Sequence, residues 1–373
     1  MNATVWESRL LASVTAVLAV FGVAAVYGAS SLVAVQAGDP GSAFALRQLG
    51  GVMVGGILLL VGARVPYQTW RSLAWPMMLA SLVLLLFPFL PGLRALTPEL
   101  NGARRWLNLG AVSFQPSEFA KFAVAAWTAM IAARKGEQIR DFKKGLLPVF
   151  VVVGPLCALV LFQPNLSTAV LTALIAGVIL FTAGARIGHF LVLGLIAVPV
   201  LWRELTQVQY RFARMLAFIS SDQATAATSW QIQQSLIGIG SGRFFGVGFG
   251  EGMQKLGYLP YAYSDFIFST IGEEWGFLGA SGVVALFALW MWMGFRIART
   301  APDQFGMLLV TGLTAMVGVT AILHIAVTLN LVPTTGLPLP FISYGRSNLL
   351  VSLFATGVMV NVARQRHAPG ARR

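Results

Sequence analysis

The amino-acid sequence predicts an all-α polytopic membrane protein of about ten transmembrane helices, with one long extracytoplasmic connection between the seventh and eighth spans. Three observations carry this. The 373 residues are 57% hydrophobic and only 10% charged, against roughly 25% charged in soluble domains. Apolar runs near or above the ~18 residues that cross the hydrocarbon of a bilayer recur along the chain. The 26 Lys and Arg residues fall in short clusters between those runs, which is how charge orients spans.

Hydropathy places the spans at about 10–35, 47–63, 72–90, 117–133, 145–162, 166–184, 187–202, 266–295, 304–331 and 347–363. The first run is too long for a signal-peptide core of ~7–15 residues and reads as a retained helix. With the N-terminus in the cytoplasm, the inner segments collect fifteen Lys and Arg and the outer segments ten, five of the ten in the seventh connection. Long loops cross largely regardless of charge. Both termini are therefore expected in the cytoplasm, with 364–373 as a cytoplasmic tail and 1–373 as a single integral membrane domain.

The connection at 203–265 holds Trp230, several glutamines and apolar stretches. Segments 212–219 and 231–236 read as short amphipathic helices lying on the outer leaflet. A net charge of +13 raises the question of nucleic acid, but the charge is scattered and no long basic arm exists to follow a phosphate backbone. The lone Cys157 excludes an intrachain disulfide and a Cys-type metal cluster.

Several constellations carry chemistry. Glu118 and Lys121 stand three apart at the start of the fourth span, so they share a helix face. Charge at bilayer depth faces a bundle interior or a wet cavity, and the pair either serves a site or pins helices together. Asp265 sits where the long connection meets the eighth span. On a helix Glu273 lies about 80° around from it and Glu274 about 180°, so Glu273 is expected to share its cavity. An acidic residue in a first helical turn is also an ordinary favourable start.

Arg104, Arg105, Arg211, Arg214 and Lys255, interleaved with Trp106, Trp230 and Tyr258, suit phosphate or sugar contacts on an amphiphilic substrate. The same residues suit ordinary interfacial anchoring. The glycine-rich stretch 238–252 lacks the Lys-Ser/Thr ending of a nucleotide loop, and its glycines fit tight turns or close packing. His189 and His324 read as packing or hydrogen-bonding residues. The proline-rich run 333–341 cannot be helix. Being apolar and irregular, it is expected to line a cavity as a re-entrant wall.

Residues 26–362 resemble the SEDS family of cell-wall glycosyltransferases. The resemblance is carried by VYGASS at 26–31, FALRQ at 44–48, NGARRWLNLGAVSFQPSEFAK at 101–121 and the segment 210–218. It continues in GIGSGRFFGVGFGEGMQKLGYLP at 238–260, SDFIFSTIGEEWG at 264–276 and LVPTTGLPLPFISYG at 331–345. QKL, YLP and the first-span motif tilt it toward the division branch of the family over the elongation branch.

The resemblance implies a catalytic role for Asp265 and a polar cavity to which Glu118 and Lys121 contribute. It implies a substrate, lipid II (an undecaprenyl-pyrophosphate-linked disaccharide peptide), polymerised at the outer face of the cytoplasmic (inner) membrane at the division septum. It also implies partners: a class B penicillin-binding protein transpeptidase of the FtsI type and other division proteins. The chain departs from the family pattern at Tyr261 and Tyr263 in place of Glu and His, and at Asn165 in place of Asp. Arg346 and Asn348 stand in Gly345-Arg346-Ser347-Asn348, and His324 replaces Asn.

For such a transfer one carboxylate acting as base and cations to stabilise the departing pyrophosphate are sufficient. No cofactor or metal site is assigned; a divalent cation, Mg or Mn, on the pyrophosphate is compatible with the chemistry. A lipid-precursor transporter and a non-catalytic scaffold that recruits a transpeptidase remain as alternatives.

Overall fold

Apolar runs of this length become helices because a backbone surrounded by lipid must satisfy its own N–H and C=O groups. The computed structural model describes residues 6–90, 92, 96–99, 102–108, 110, 113–207, 212–215, 218 and 226–365. Its main helices are α1 (Trp6–Gln36), α2 (Ala43–Arg64), α3 (Ala74–Leu86), α4 (Pro116–Lys135), α5 (Leu147–Phe162) and α6 (Leu166–Thr182). The second half holds α7 (Ile187–Thr206), α8 (Ala226–Ser241), α9 (Ile267–Arg299), α10 (Gln304–Thr328) and α11 (Arg346–Gln365). Leu107–Asn108 and Ser113–Phe114 pair as a two-residue antiparallel hairpin.

Every helix except α8 coincides with one of the ten expected spans. Seven are individually long and apolar enough to cross a membrane: α1, α2, α5 with the turn before it, α7, α9, α10 and α11. α6 and α3, the latter continued to Phe89, are shorter apolar helices. α4 is 20 residues long, about 30 Å, but carries Glu118 and Lys121 near its start and Arg134 and Lys135 in its last turn. The chain is a multi-pass membrane protein.

Local chemistry sets the helix ends. Pro116 opens α4, where its missing N–H is no loss. Asn165 Oδ1 accepts from Thr168 N (3.4 Å) to cap α6, and Asp303 Oδ1 accepts from Gly306 N (2.7 Å) to cap α10.

The core is layered by burial. In α10 and α11, 78% and 83% of the most apolar window is enclosed by protein, whereas α7 buries none of its residues and lies at the rim. α2 and α11 pack through glycines. A Cβ on Gly357 would stand 2.1 Å from Leu59 O, and one on Gly62 would stand 2.8 Å from Phe354 O. Small residues let backbones approach where no hydrophobic driving force separates protein from lipid. Asn361 closes the end of the same pair, accepting from Tyr67 N (2.9 Å) and donating to Ala63 O (3.0 Å).

The long connection departs from expectation. α8 covers and extends the expected 231–236 helix and packs against the bundle, with Ser269 Oγ donating to Ser235 O (2.6 Å) and Ser235 Oγ to Thr328 O (2.8 Å). Its buried polar atoms thus find partners on α9 and α10. Of the expected 212–219 helix, 212–215 and 218 are helical and the remainder lies outside the described residues.

α9 is broken at Gly276 (φ +66°). The freed groups are taken up by the glycine-rich loop after α8. Phe277 N and Leu278 N donate to Arg243 O (2.8 Å) and Phe244 O (3.1 Å), while Glu273 O and Glu274 O accept from Val247 N (3.0 Å) and Gly248 N (3.2 Å). This requires the backbones to touch: a Cβ on Gly246 would sit 2.2 Å from Glu274 O.

The α2–α11 contact predicts that Gly357→Val forces the two helices apart, at the ~1–3 kcal/mol typical of overpacking. The variant should show a lower midpoint in thermal unfolding of detergent-solubilised protein. Gly56→Ala, on α2 with nothing within 4 Å of its Cβ, should leave the midpoint unchanged or raise it. Equal behaviour of the two would overturn the packing argument.

Candidate active site

Asp265 lies in a tight turn ahead of α9. Tyr261, in the left-handed region at φ +57°, offers its carbonyl to three successive N–H groups, those of Ser264 (3.0 Å), Asp265 (3.1 Å) and Phe266 (3.3 Å). Ser343 Oγ donates to Ser264 O (2.7 Å) and accepts from Leu339 N (2.8 Å), and Tyr344 N donates to Tyr263 O (3.0 Å). The turn is thereby locked to the segment before α11. Phe44 packs on Tyr263 and Tyr344, each at 5.0 Å between ring centres, and Gln48 Nε2 donates to Ser343 O (3.2 Å). The 44–48 motif therefore buttresses the Asp265 turn.

The irregular segment 331–345 forms the facing wall. Gly336, at φ +68°, faces Asp265: a Cβ there would make ordinary contact, at 3.5 Å, with Asp265 Oδ2. Beside it is a cavity of about 280 Å³ whose lining includes Arg105, Ser167, Arg214, Thr334, Thr335 and Leu337. Arg105 donates through Nε to Gln163 O (2.9 Å) and through Nη2 to Pro164 O (2.6 Å), and Arg214 Nη1 donates to Thr334 O (3.2 Å). The hydroxyls of Thr334 and Thr335 are buried on the wall without a partner among the described residues. Burial pushes the Asp265 carboxyl above the usual carboxylate range; the charge of Arg214, a hydrogen bond from Ser264 and the charge of Arg105 pull it back down. The arrangement offers a charge-accepting base beside a cationic, hydroxyl-lined cavity.

Other expected site residues lie elsewhere. α9 begins at Ile267, after the Asp265 turn, so the helical angle between Asp265 and Glu273 does not apply. The Glu273 carboxylate accepts from Met253 N (2.8 Å) and Gln254 N (3.2 Å), holding the loop that mends the break in α9. Lys255 is likewise withdrawn from the surface: it is buried, pairs with Glu274 (3.1 Å) and donates to Gly250 O. Gly28 of the first-span motif leaves room for that carboxylate, since a Cβ there would stand 2.6 Å from Glu274 Oε2. Arg104 pairs with Glu99 (3.5 Å) at the exposed surface. Arg211 lies outside the described residues. Of the five basic candidates, the structure brings Arg105 and Arg214 to the cavity.

Glu118 and Lys121 form an ion pair (2.9 Å) with side chains 3% and 1% exposed, and neither lines the cavity. Asn348 Nδ2 donates to Glu118 Oε2 (3.0 Å), Ser347 Oγ accepts from Gln115 N (2.9 Å) and Arg346 donates to Ser113 Oγ (3.2 Å). Together these clamp the start of α4 to the start of α11. Four departures from the family pattern thus find partners here: Asn348 on Glu118, Arg346 on Ser113, Asn165 capping α6, and His324, whose Nδ1 donates to Leu337 O (2.7 Å). The sequence reading missed Ser167, Ser343 and Thr334 as site residues. Thr334 and Ser343 stood in or beside the proline-rich run, and Ser167 in the stretch that departs from the family pattern at Asn165.

Among the described residues no group of three or more His, Cys, Asp and Glu side chains could hold a metal ion.

The all-α bundle with its long apolar helices is that of a multi-pass membrane protein, and the acidic turn and two arginines beside one cavity are its candidate site. The chain belongs to the FtsW/RodA/SpoVE cell cycle protein family, whose model matches residues 8–368. A relative in Trichlorobacter lovleyi named "Probable peptidoglycan glycosyltransferase FtsW" is 40% identical, the match covering 92% of this chain and 89% of that protein. Stage V sporulation protein E of Bacillus subtilis is 36% identical over 95% of this chain and 96% of its own. Among solved structures, a chain from a peptidoglycan synthase complex described as coordinating polymerization and crosslinking superposes with a TM-score of 0.79 at 27% identity, covering 99% of this chain and all of that one. Thermus thermophilus RodA superposes at 0.72, also 27% identical, over 99% of each chain.

The buried clamp predicts that Glu118→Gln, which strands the Lys121 charge, destabilises the protein by about 3–5 kcal/mol and lowers the yield of monodisperse protein. Glu118→Gln combined with Lys121→Met should recover much of that yield. If the double variant is no better than the single, the pair is not held together by compensation of charge.

Proposed function

We propose that this chain is a peptidoglycan glycosyltransferase that polymerises lipid II into glycan strands at the outer face of the cytoplasmic membrane, with Asp265 as general base. The observation that carries this is the placement of Asp265 against Gly336, beside the cavity lined by Arg105 and Arg214. The relatives' names support the reaction class; the geometry supports the roles.

The acceptor's 4-hydroxyl on N-acetylglucosamine attacks the anomeric carbon of the donor N-acetylmuramic acid, inverting it and expelling undecaprenyl pyrophosphate. Asp265 takes the hydroxyl proton. Its raised affinity for a proton makes it a better base than a free aspartate, provided it is ionised when the acceptor binds. Arg105 and Arg214, both on the cavity wall, stabilise the charge that gathers on the departing pyrophosphate. Pre-positioned cations cost no reorganisation at the moment of transfer, so this leaving group needs no proton donor.

The protein works at the division septum with a class B transpeptidase that cross-links the strands. Support for that partnership is the likeness to a chain from a synthase complex that couples polymerization to crosslinking. The charge distribution supports the orientation: 203–265 outside, both termini inside. Cysteines introduced at exposed loop positions such as Tyr258 should react with a membrane-impermeant maleimide in intact spheroplasts, and one at Lys143 only after permeabilisation. The reverse pattern would overturn the orientation.

Glycan-strand formation from labelled lipid II, with and without a transpeptidase partner, tests the roles. General-base catalysis contributes about 10²–10⁴-fold, so Asp265→Asn should lose at least about a hundredfold at matched amounts of folded, partner-bound protein. Asp265→Glu should also be impaired, because a catalytic carboxylate tolerates only about 0.5 Å of displacement. Because the charged form is the active one, kcat/KM should rise with pH through an inflection above the ~3.9 of a free aspartate. Arg214→Gln removes a stabilising positive charge and should move that inflection to higher pH. An Asn variant keeping a third or more of the wild-type rate would end the assignment. Retained substrate binding without any polymer from the wild type would favour a transporter or scaffold.

A further inference from the structure

The wall opposite Asp265 has no secondary structure to hold it. Between Leu331 and Gly345 the chain is irregular, and Pro333, Pro338 and Pro340 have no N–H to donate. Its shape is set instead by side chains that reach in from three other parts of the chain and capture successive carbonyls. Arg214 donates to Thr334 O (3.2 Å), Ser167 of α6 to Thr335 O (3.1 Å) and His324 of α10 to Leu337 O (2.7 Å). These ties bracket Gly336, whose open Cβ position faces Asp265 Oδ2 at contact distance, from both sides. A carbonyl oxygen can only accept, so His324 Nδ1 carries the proton of its bond.

His324 is the anchor on the C-terminal side of Gly336. It is 1% exposed, it belongs to one of the most enclosed helices, and no step of the transfer uses it. Gly336 has no side chain to brace it and sits at positive φ, where glycine is free to move. Without the Leu337 tie the glycine can swing relative to the carboxylate.

We propose that His324 is a positioning residue for glycosyl transfer: its bond to Leu337 O fixes Gly336 against Asp265 and so sets the direction in which the carboxylate faces the cavity. This rests on the reading of Asp265 as the base. It requires only a donor at the Nδ1 position. Asparagine has one there, because Asn Nδ2 and His Nδ1 both lie two bonds beyond Cβ. Leucine fills similar volume and has none.

The test compares His324→Leu and His324→Asn in the lipid II polymerisation assay at matched amounts of folded protein, reading kcat and KM separately. A displacement of order 1 Å at a reacting group costs up to about 10²-fold. His324→Leu should therefore lower kcat by about tenfold to a hundredfold with KM within about twofold of wild type, and His324→Asn should restore kcat to within about threefold. In an Asp265→Asn background, His324→Leu should cost little further, since the group it positions is gone. If His324→Leu does not fold, Ser167→Ala, which cuts the tie on the other side of Gly336, is read in the same way. Equal loss by His324→Leu and His324→Asn, or a loss confined to KM or to folded yield, would overturn the proposal. Should Asp265→Asn itself remain active, the reading of the base fails independently of His324.

Discussion

Backbone that leaves the helix inside an apolar bundle must find its hydrogen-bond partners within the protein, and the site of this molecule is built around the places where that happens. Three segments escape the helical pattern: the Asp265 turn, the 331–345 wall and the break in α9 at Gly276. Each is stabilised from elsewhere. The turn uses the Tyr261 carbonyl and Ser343, the wall uses Arg214, Ser167 and His324, and the break borrows the backbone of the glycine loop. The side chains that satisfy the irregular backbone lie around the turn that carries Asp265.

The constraint also explains where the charged residues went. Glu273 and Lys255 look from the sequence like groups facing a ligand, yet with Glu274 they hold the glycine loop to α9. Glu118 and Lys121 are enclosed with Asn348 and tie α4 to α11. A charge buried in a low-dielectric interior needs a partner. The partner is a backbone N–H for Glu273, an opposite charge from another segment for Glu274, and an opposite charge one turn along the same helix for Glu118.

Departures from the family pattern acquire sense in the same frame. Asn165 caps a helix as an aspartate would, His324 offers a donor at the reach of an asparagine, and Tyr263 packs into an aromatic trio with Phe44 and Tyr344.

The helices of the ten expected spans and the irregular proline-rich wall were legible in the sequence. Span length and hydropathy are local properties, and prolines announce non-helical backbone without any tertiary information. The docking of α8 was not legible, because its pattern of apolar and polar residues suits a leaflet surface as well as a groove. Nor was the division of labour among charges: 80° on an ideal helix placed Glu273 beside Asp265, but the helix starts two residues after Asp265 and the carboxylate turns to the 253–254 backbone. Sequence fixes which residues are charged and which segments cannot be helix. Only the tertiary structure decides which charge meets which orphaned backbone group, because those partners lie tens to hundreds of residues apart and are chosen by the way the helices pack.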